Sequence, residues 1–319
     1  PVASEGAMLY FLLTGLNHIE HMYQYSLDSF VFYFFKAIER AVAADTVSQR
    51  VLNLQSCLRL TIFTMVNRGL FVAHKLIFLS QLTFSLMKRG NLGEDNLLND
   101  VHFQFLLRGP RKVGDENPIS WLPKSSWESI LALCDLEEFT KLGSDLVEAA
   151  PRFREWFSHV TPETEKLPLD WAGLDRQPIQ KMLVVRCLRP DRVATALLNF
   201  VRLVLPDGNA YAHLDSNLSS KGIIDSSLAD STASTPIYFM LTPGANIMGY
   251  LDELAVKYDY VAFETYHSVS MGQGQDVVAM RNLDLAHRNG HWVILNNVHL
   301  MPKWLIELEK QLDEYANEG

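Results

Sequence analysis

Residues 244–251 read Gly-Ala-Asn-Ile-Met-Gly-Tyr-Leu. The spacing Gly244-x-x-x-x-Gly249 is that of a loop whose backbone amides cradle phosphate, and the run TPIYFMLTP before it reads as a strand. In a working loop the next two residues are Lys, which reaches the β- and γ-phosphates, and Ser or Thr, whose hydroxyl holds Mg2+. Here those places hold Tyr250 and Leu251. A phenol is not a cation at neutral pH, and Leu251 has no oxygen for a metal. The second half of the same chemistry lies further on. His291-Trp292-Val293-Ile294-Leu295 is a short apolar run suited to a buried parallel strand. In phosphate-loop NTPases such a strand ends in an Asp that helps hold Mg2+, often followed by a Glu that polarises water. This one ends in Asn296-Asn297. Asn has nearly the shape of Asp but no charge, so it is a poor ligand for a hard cation and a poor general base. The pattern predicts the frame of a nucleotide site without its working groups: a degenerate phosphate loop at Gly244, Gly249, Tyr250 and Leu251, and a degenerate strand end at Asn296 and Asn297. No catalytic residue, bound cofactor or metal is expected here, and Tyr250 is expected to fill space that phosphate would take.

Three other constellations are weaker. His18-Ile19-Glu20-His21 has the wrong order for H-E-x-x-H, whose two His sit at i and i+4 on one helical face, and reads as a helix-end pair. Gly272-Gln273-Gly274-Gln275 joins a strand to a helix. Its amides could meet an anion, but a tight turn with Asp276 near the helix start is the reading preferred. Arg186, Arg189 and Arg192 cluster around Pro190; they could serve an inter-module ion pair or a finger toward a neighbouring site, but read better as structural.

The elements that must position these residues follow from periodicity. Residues 1–107 read almost wholly as helix. Leu27, Phe30, Val31, Phe34, Phe35 and Ile38 form an apolar stripe behind a Ser26 N-cap. Further helices are expected over Thr46–Asn67, Val72–Lys88 and Leu97–Leu107, joined by short Gly-containing turns, hence a helical bundle. GPRKVGDENP at 109–118 is the expected domain boundary, followed by helices at 127–136 and 140–158. The run 181–193 passes from apolar residues into a helix start, and 205–234 is polar and turn-rich. From 236 the pattern alternates strand and helix, at 236–242, 248–257, 260–269, 275–289, 291–296 and 302–316, which implies a parallel sheet with helices on its faces. The fold class expected is therefore α plus α/β, a helical bundle over 1–110 and a phosphate-loop-type parallel α/β domain over 111–319.

Composition excludes some functions. A formal net charge of −9 argues against nucleic acid and against direct contact with an acidic surface such as a microtubule. No apolar run approaches the roughly 20 residues that span a bilayer, so no membrane is expected. Cys57, Cys134 and Cys187 are an odd, widely spaced set that suits reduced thiols in a cytosolic compartment. At 319 residues the chain can hold two cores. It opens on Pro1 without an initiator Met, which reads as a piece of something longer.

The run from YFMLTPGANIMGYL through VSMGQGQ to HWVILNNVHLMPKWLIELEK resembles the sixth AAA+ module of dynein heavy chains. That family shows a strand followed by S-P-G, then G-Q-G-Q, then W-V-x-L-Q-N-x-H-L. Here these are Thr242-Pro243-Gly244, Gly272 to Gln275, and Trp292 to Leu300, with Thr242 and Asn296 departing from the pattern. LVVRCLRPDRV at 183–193 is similar to the family's L-R-P-D-R segment. PVASEGAMLYFLL and MYQYSLDSFVFYFFKAIERA resemble the helical part of the fifth module, and MYQYSLDSF looks more axonemal than cytoplasmic. The resemblance covers essentially the whole chain.

The resemblance implies a helical small domain of the fifth module over 1–110 and an incomplete large domain of the sixth over 111–319. It implies a non-hydrolysing segment that passes rearrangement between ring and stalk in a minus-end-directed ciliary or flagellar motor. ATP and Mg would be bound by other modules of the parent motor. The partners implied are neighbouring AAA+ modules of the same heavy chain, with intermediate chains, light chains and microtubules reached through other parts, in the cytoplasm and axoneme. Two rival readings remain open from the residues: an active NTPase whose missing ligands come from Arg186, Arg189 or a neighbour, and a scaffold that binds only proteins.

Overall fold

The computed structural model describes residues 1–93, 97–114, 116–211, 220–233, 235–241 and 243–318. The chain is mostly helical, with one two-stranded parallel sheet among the described residues. Its contacts divide it into two compact units, Pro1–Asp215 and Ser216–Gly319.

In the first unit α1 (Val2–Gly15), α2 (Leu27–Arg40), α3 (Val47–Gly69) and α4 (Val72–Lys88) form a helical group in which α1 packs on the other three. The sequence marks these ends well. Ser26 Oγ accepts from the Ser29 amide at 3.1 Å, and Thr46 Oγ1 accepts from Gln49 at 3.3 Å, each satisfying an amide left open at a helix start. The apolar stripe expected on α2 is only partly buried. Phe30 and Ala37 enter the core while Leu27, Val31 and Phe35 stay exposed. The stripe is wider than its neighbours can cover, and the side buried is the one facing α1 and α3. There Phe34 lies so close to Gly6 that a Cβ would stand 2.7 Å from its ring.

α5 (Asp100–Arg108) starts at Asn99, whose side chain accepts from Val101 and His102 at 2.8 and 3.3 Å. It is followed by α6 (Lys124–Leu133), α7 (Leu142–Glu148), α8 (Ala150–Ser158), α9 (Pro178–Leu188), α10 (Val193–Val204) and the single turn α11 (Gly208–Tyr211). α9 packs against α5, α6 and α10, and α10 against α4. One continuous core therefore runs from Met8 to Tyr211, and contacts do not thin at the expected boundary between 110 and 111. The 109–118 segment has the composition of a linker, but the apolar α9 draws both sides of it together. α9 also replaces the expected apolar run leading into a helix start: 178–188 is helix throughout.

A buried ion pair ties the helical group together. Glu5 is 1% exposed and Arg59 5%. Arg59 Nε and Nη2 both donate to the Glu5 carboxylate, the latter at 2.8 Å. Gln55 Nε2 and Asn91 Nδ2 complete its shell at 2.8 and 2.9 Å. Both carboxylate oxygens thus have donors, Oε2 from Gln55, Arg59 and Asn91 and Oε1 from Arg59, as a buried carboxylate requires.

The second unit contains α12 (Ser220–Asp230), α13 (Met248–Lys257), β1 (Tyr266–Ser270), α14 (Asp276–Asn289), β2 (Trp292–Asn296) and α15 (Pro302–Glu318). β1 and β2 run parallel, with Tyr266 opposite Trp292 and Ser270 opposite Asn296. Because side chains alternate, the two faces of the sheet serve different layers. Trp292 and Ile294 pack with Ile224, Leu251 and Leu254 of α12 and α13. Val269 and Leu295 pack with Ala279 of α14 and Trp304 of α15 on the other face.

Two expected strands differ. Residues 235–241 carry no strand. Phe239 packs inward while Tyr238, Met240 and Leu241 are exposed, but a strand also needs a ladder partner, and none pairs with these residues among those described. Thr242 lies outside the described residues. The strand expected over 260–269 is a ladder only from 266, because 260–265 folds into a tight turn. The polar stretch 205–234 holds α11 and α12, where turns alone were expected.

Candidate functional site

Residues 243–247 precede α13, which carries Met248 to Leu251 in its first turn. Gly244 sits at φ 84°, a backbone state that favours glycine. Gly249 lies in the first turn of the helix, and a Cβ there would meet nothing within 4 Å. The amides that would face a phosphate are partly spent. The Met248 N–H donates to the Asn246 side chain at 3.0 Å. The N–H groups of Tyr250 and Leu251 turn back to the Ile247 carbonyl at 3.0 and 3.1 Å. No Lys or Arg occurs between 243 and 251.

Tyr250 and Leu251 take opposite roles. Leu251 is 7% exposed and belongs to the apolar cluster with Ile224 and Leu254, against which Trp292 and Ile294 of β2 pack. Tyr250 is 40% exposed. The side chain expected to fill the phosphate space is thus part-exposed, while its neighbour packs into the core.

At the end of β2 the Asn296 side chain is also engaged locally. Asn296 lies on the strand face that carries Trp292 and Ile294, and its Nδ2 donates to Ser268 Oγ on β1 at 2.9 Å. Its backbone carbonyl accepts from the Met271 amide at 2.8 Å. Asn297 adopts φ 59°, ψ 36°, and heads a short 3-10 turn over Val298–Leu300. Asn is among the few residues that visit this left-handed region readily. The residue that sequence reasoning treats as a lost carboxylate therefore has a backbone reason to be Asn. On the same sheet face Tyr266 donates to Asp252 of α13 at 3.0 Å. Burial first, then this carboxylate, raises the Tyr266 pKa. So Leu251, Ile247 and Met248 pack against Trp292 and Ile294, on the face of β2 that also carries Asn296.

The remaining motifs are structural in their contacts. Gly272–Gln275 closes a turn, the Gln275 amide donating to the Gly272 carbonyl at 3.1 Å. Arg189 grips Asp191 with two bonds of 2.9 and 2.7 Å, and donates to the carbonyls of Phe157 and His159. That grip holds Asp191 below the usual carboxylate range. Arg192 is paired with Glu163. Arg186 lies against Gly109 and reaches the Leu107 carbonyl at 3.5 Å. All three arginines are held within the first unit. His21 contacts Glu20 at 2.7 Å, and no cluster of three or more metal-ligating side chains occurs among the described residues. All three cysteines are free thiols. Burial pushes Cys187 up to about 12, so it is an inert core thiol.

Sequence reasoning missed the Glu5–Arg59 pair, since two charges 54 residues apart leave no local pattern. It also missed a pair of rings on the sheet, His267 Nε2 lying 3.0 Å from His291 Nδ1. Each His stands next to a strand pattern that was legible, but only the ladder register brings them side by side.

Residues 232–319 match the family described as dynein heavy chain region D6 P-loop domain. Over 317 residues the chain is 39% identical to dynein axonemal heavy chain 17 of Homo sapiens, covering 99% of this chain and 7% of that protein. It is 36% identical over 318 residues to the ciliary dynein beta chain of Heliocidaris crassispina, with the same coverage of each. It is 35% identical over 332 residues to the flagellar outer-arm dynein beta chain of Chlamydomonas reinhardtii, covering 98% and 7%. The chain thus spans about 7% of the length of the curated relatives it matches. With 35–39% identity over 98–99% of its length, the chain belongs to the dynein heavy-chain family.

Proposed function

We propose that this chain is a non-hydrolysing structural segment of an axonemal dynein motor ring, coupling movements of neighbouring modules and not turning over nucleotide itself. The observation that carries this is Leu251. Where a nucleotide site needs a hydroxyl for Mg2+, the chain places a buried aliphatic side chain in a core shared with β2. Met248, whose amide would face phosphate, is already bonded to Asn246. Asn296 and Asn297 offer no charge to a metal. These residues do not fit a Mg-nucleotide, so no chemical step is assigned to this loop.

In this reading the first unit carries the helical part of the fifth module, the second carries the phosphate-loop part of the sixth, and ATP, Mg2+ and microtubules are engaged by other parts of the motor. Blocks packed as rigid bodies transmit a rearrangement whether or not each one hydrolyses ATP. Names of the relatives support a ciliary or flagellar setting.

The test is a Tyr250→Lys/Leu251→Thr variant, assayed for phosphate release from Mg-ATP by the 319-residue chain. No turnover is expected while Asn296-Asn297 remain; turnover by either the parent chain or the variant refutes the non-hydrolysing reading. For the coupling role, Leu251→Thr in a dynein heavy chain carrying this sequence should slow microtubule gliding without changing the motor's ATP affinity. Unchanged gliding counts against coupling.

A further inference from the structure

In the second unit His267 of β1 and His291, the residue before β2, meet ring to ring, Nε2 to Nδ1 at 3.0 Å. The ladder register brings them together. Tyr266 stands opposite Trp292, so His291 lies diagonally across from His267 on the same face of the sheet, a spacing that long side chains bridge. The ring centroids are 5.2 Å apart, which leaves room for little beyond the bond and the two ring radii, so the nitrogens point at one another. Rings aimed this way do not converge on a third point where a metal ion could sit. What they form is an N–H···N bond, and it needs one ring to keep an unprotonated nitrogen.

The bond ties the junction of α14 and β2 to β1. Gly290 takes φ 72° there, the amides of Gly290 and His291 donate to the Ala286 carbonyl at 2.7 and 3.2 Å, and that of Trp292 donates to the Thr265 carbonyl at 2.9 Å. The charged groups nearby are committed elsewhere or lie in solvent. On α14, Asp284 accepts from Tyr315 of α15, and His287 is paired with Glu318 of α15 at 3.2 Å; Arg281 and Arg288 add only positive charge. In the turn before β1, Asp259 and Glu264 are exposed. Among the described residues no carboxylate pairs with either ring of the clasp. Burial first, and then His291, bias His267 toward its neutral form.

We propose that the His267–His291 bond is an acid-released clasp between β1 and the α14–β2 junction. It is closed while either ring is neutral. Protonation of both removes the acceptor and sets two cations face to face, and the junction opens. The rings titrate as a pair, so release belongs to the pair's second proton and not to one residue alone. Opening is suppressed above the unfolded His value of about 6.5 and grows as pH falls below it. Every group in the clasp belongs to this one unit of the chain.

The test is hydrogen exchange of a dynein heavy chain carrying this sequence. It is read at the amides of Gly290, His291 and Trp292 at about pH 7.5 and about pH 5.5, with the intrinsic pH dependence of exchange divided out. The expected result is about tenfold more opening at the lower pH, while α13, on the other face of the sheet, keeps its protection. His267→Gln and His291→Gln each replace a ring by an amide that hydrogen-bonds but takes no proton, and each should abolish the pH step. A contact that is only structural would lose protection in these variants at both pH values and keep the step. Should a variant unfold the unit, the unaltered chain still decides: no step at the junction, or an equal step over Met248–Lys257, overturns the proposal. So does a step that survives in both Gln variants.

Discussion

Replacing Leu251 by Thr sets the demands of a metal site against those of a core. A Thr would supply the hydroxyl that a working phosphate loop uses, yet Leu251 is buried among Ile224, Leu254, Trp292 and Ile294. The change removes two carbons, about 1.6 kcal/mol at about 0.8 per buried methylene. It also buries a hydroxyl without a designed partner, which costs about 1–3 kcal/mol. The helical backbone returns part of this, since a Thr hydroxyl bonds readily to the carbonyl four residues back, here Ile247. The net expectation is a loss of about 2–3 kcal/mol. Hydrogen exchange over Met248–Lys257 reads this directly: amides that exchange by opening of the second unit should speed up roughly 30- to 150-fold, at about 1.4 kcal/mol per factor of ten. Leu251→Met, nearly volume-conserving, should cost under about 1.5 kcal/mol. If exchange in the Thr variant is unchanged, or becomes slower when Mg-ATP is added, Leu251 is not a core residue standing where a ligand once was, and the reasoning fails.

Other outcomes follow from the same contacts. Arg59→Leu should destabilise the first unit by about 3–5 kcal/mol, since Glu5 would be left buried with only Gln55 and Asn91 as donors; urea unfolding of Arg59→Leu and of the Glu5→Leu/Arg59→Leu double variant should show the double to be the more stable. Asn297→Ala should cost about 1–2 kcal/mol for its left-handed backbone, and Asn297→Gly little, as thermal unfolding can report. Restoring a carboxylate with Asn297→Glu should carry a similar penalty and yield no phosphate release from Mg-ATP. Burial, then the neighbouring His291 ring, lowers the His267 pKa. The folded state thus favours neutral His267, so its contribution is present above the unfolded value of about 6.5 and is lost as pH falls through the lower folded value. A urea midpoint that drops on acidification below about pH 6.5, with a smaller drop in His267→Asn, is the expected pattern; identical pH profiles would contradict it.

Much of the second unit was legible because its signals are local. The helix over 248–257, the strand ending at Asn296 and the turn at Gly272–Gln275 each carry their own periodicity or glycine spacing. The helix cap at Ser26 is equally local, its side chain accepting from the amide three residues on, whereas the helix expected from Leu97 starts at Asp100 behind an Asn99 cap that was not foreseen. What periodicity could not give was partnership. Ile237 to Leu241 form a strand-like apolar run but have no ladder partner among the described residues, and the 109–118 segment has a linker's composition yet lies within one core because α9 binds both sides. The stripe on α2 gave the helix correctly and the buried side only in part, since which edge of a broad stripe is covered depends on α1 and α3. That Tyr250 and Leu251 stand where a phosphate loop has Lys and Ser or Thr was readable from residue types. That Leu251 is buried while Tyr250 is part-exposed required coordinates, and so did the left-handed backbone that gives Asn297 a reason to be there.

The most direct test of a phosphate loop turned into core is a crystal structure of this chain grown in saturating Mg-ATP, read at Gly244 to Leu251 beside Asn296. The expected result is a loop without nucleotide, the Met248 amide still on Asn246 and Leu251 still packed against β2. Ordered nucleotide with a metal at that loop would mean that other groups supply the missing charge, and would contradict the non-hydrolysing assignment at its root.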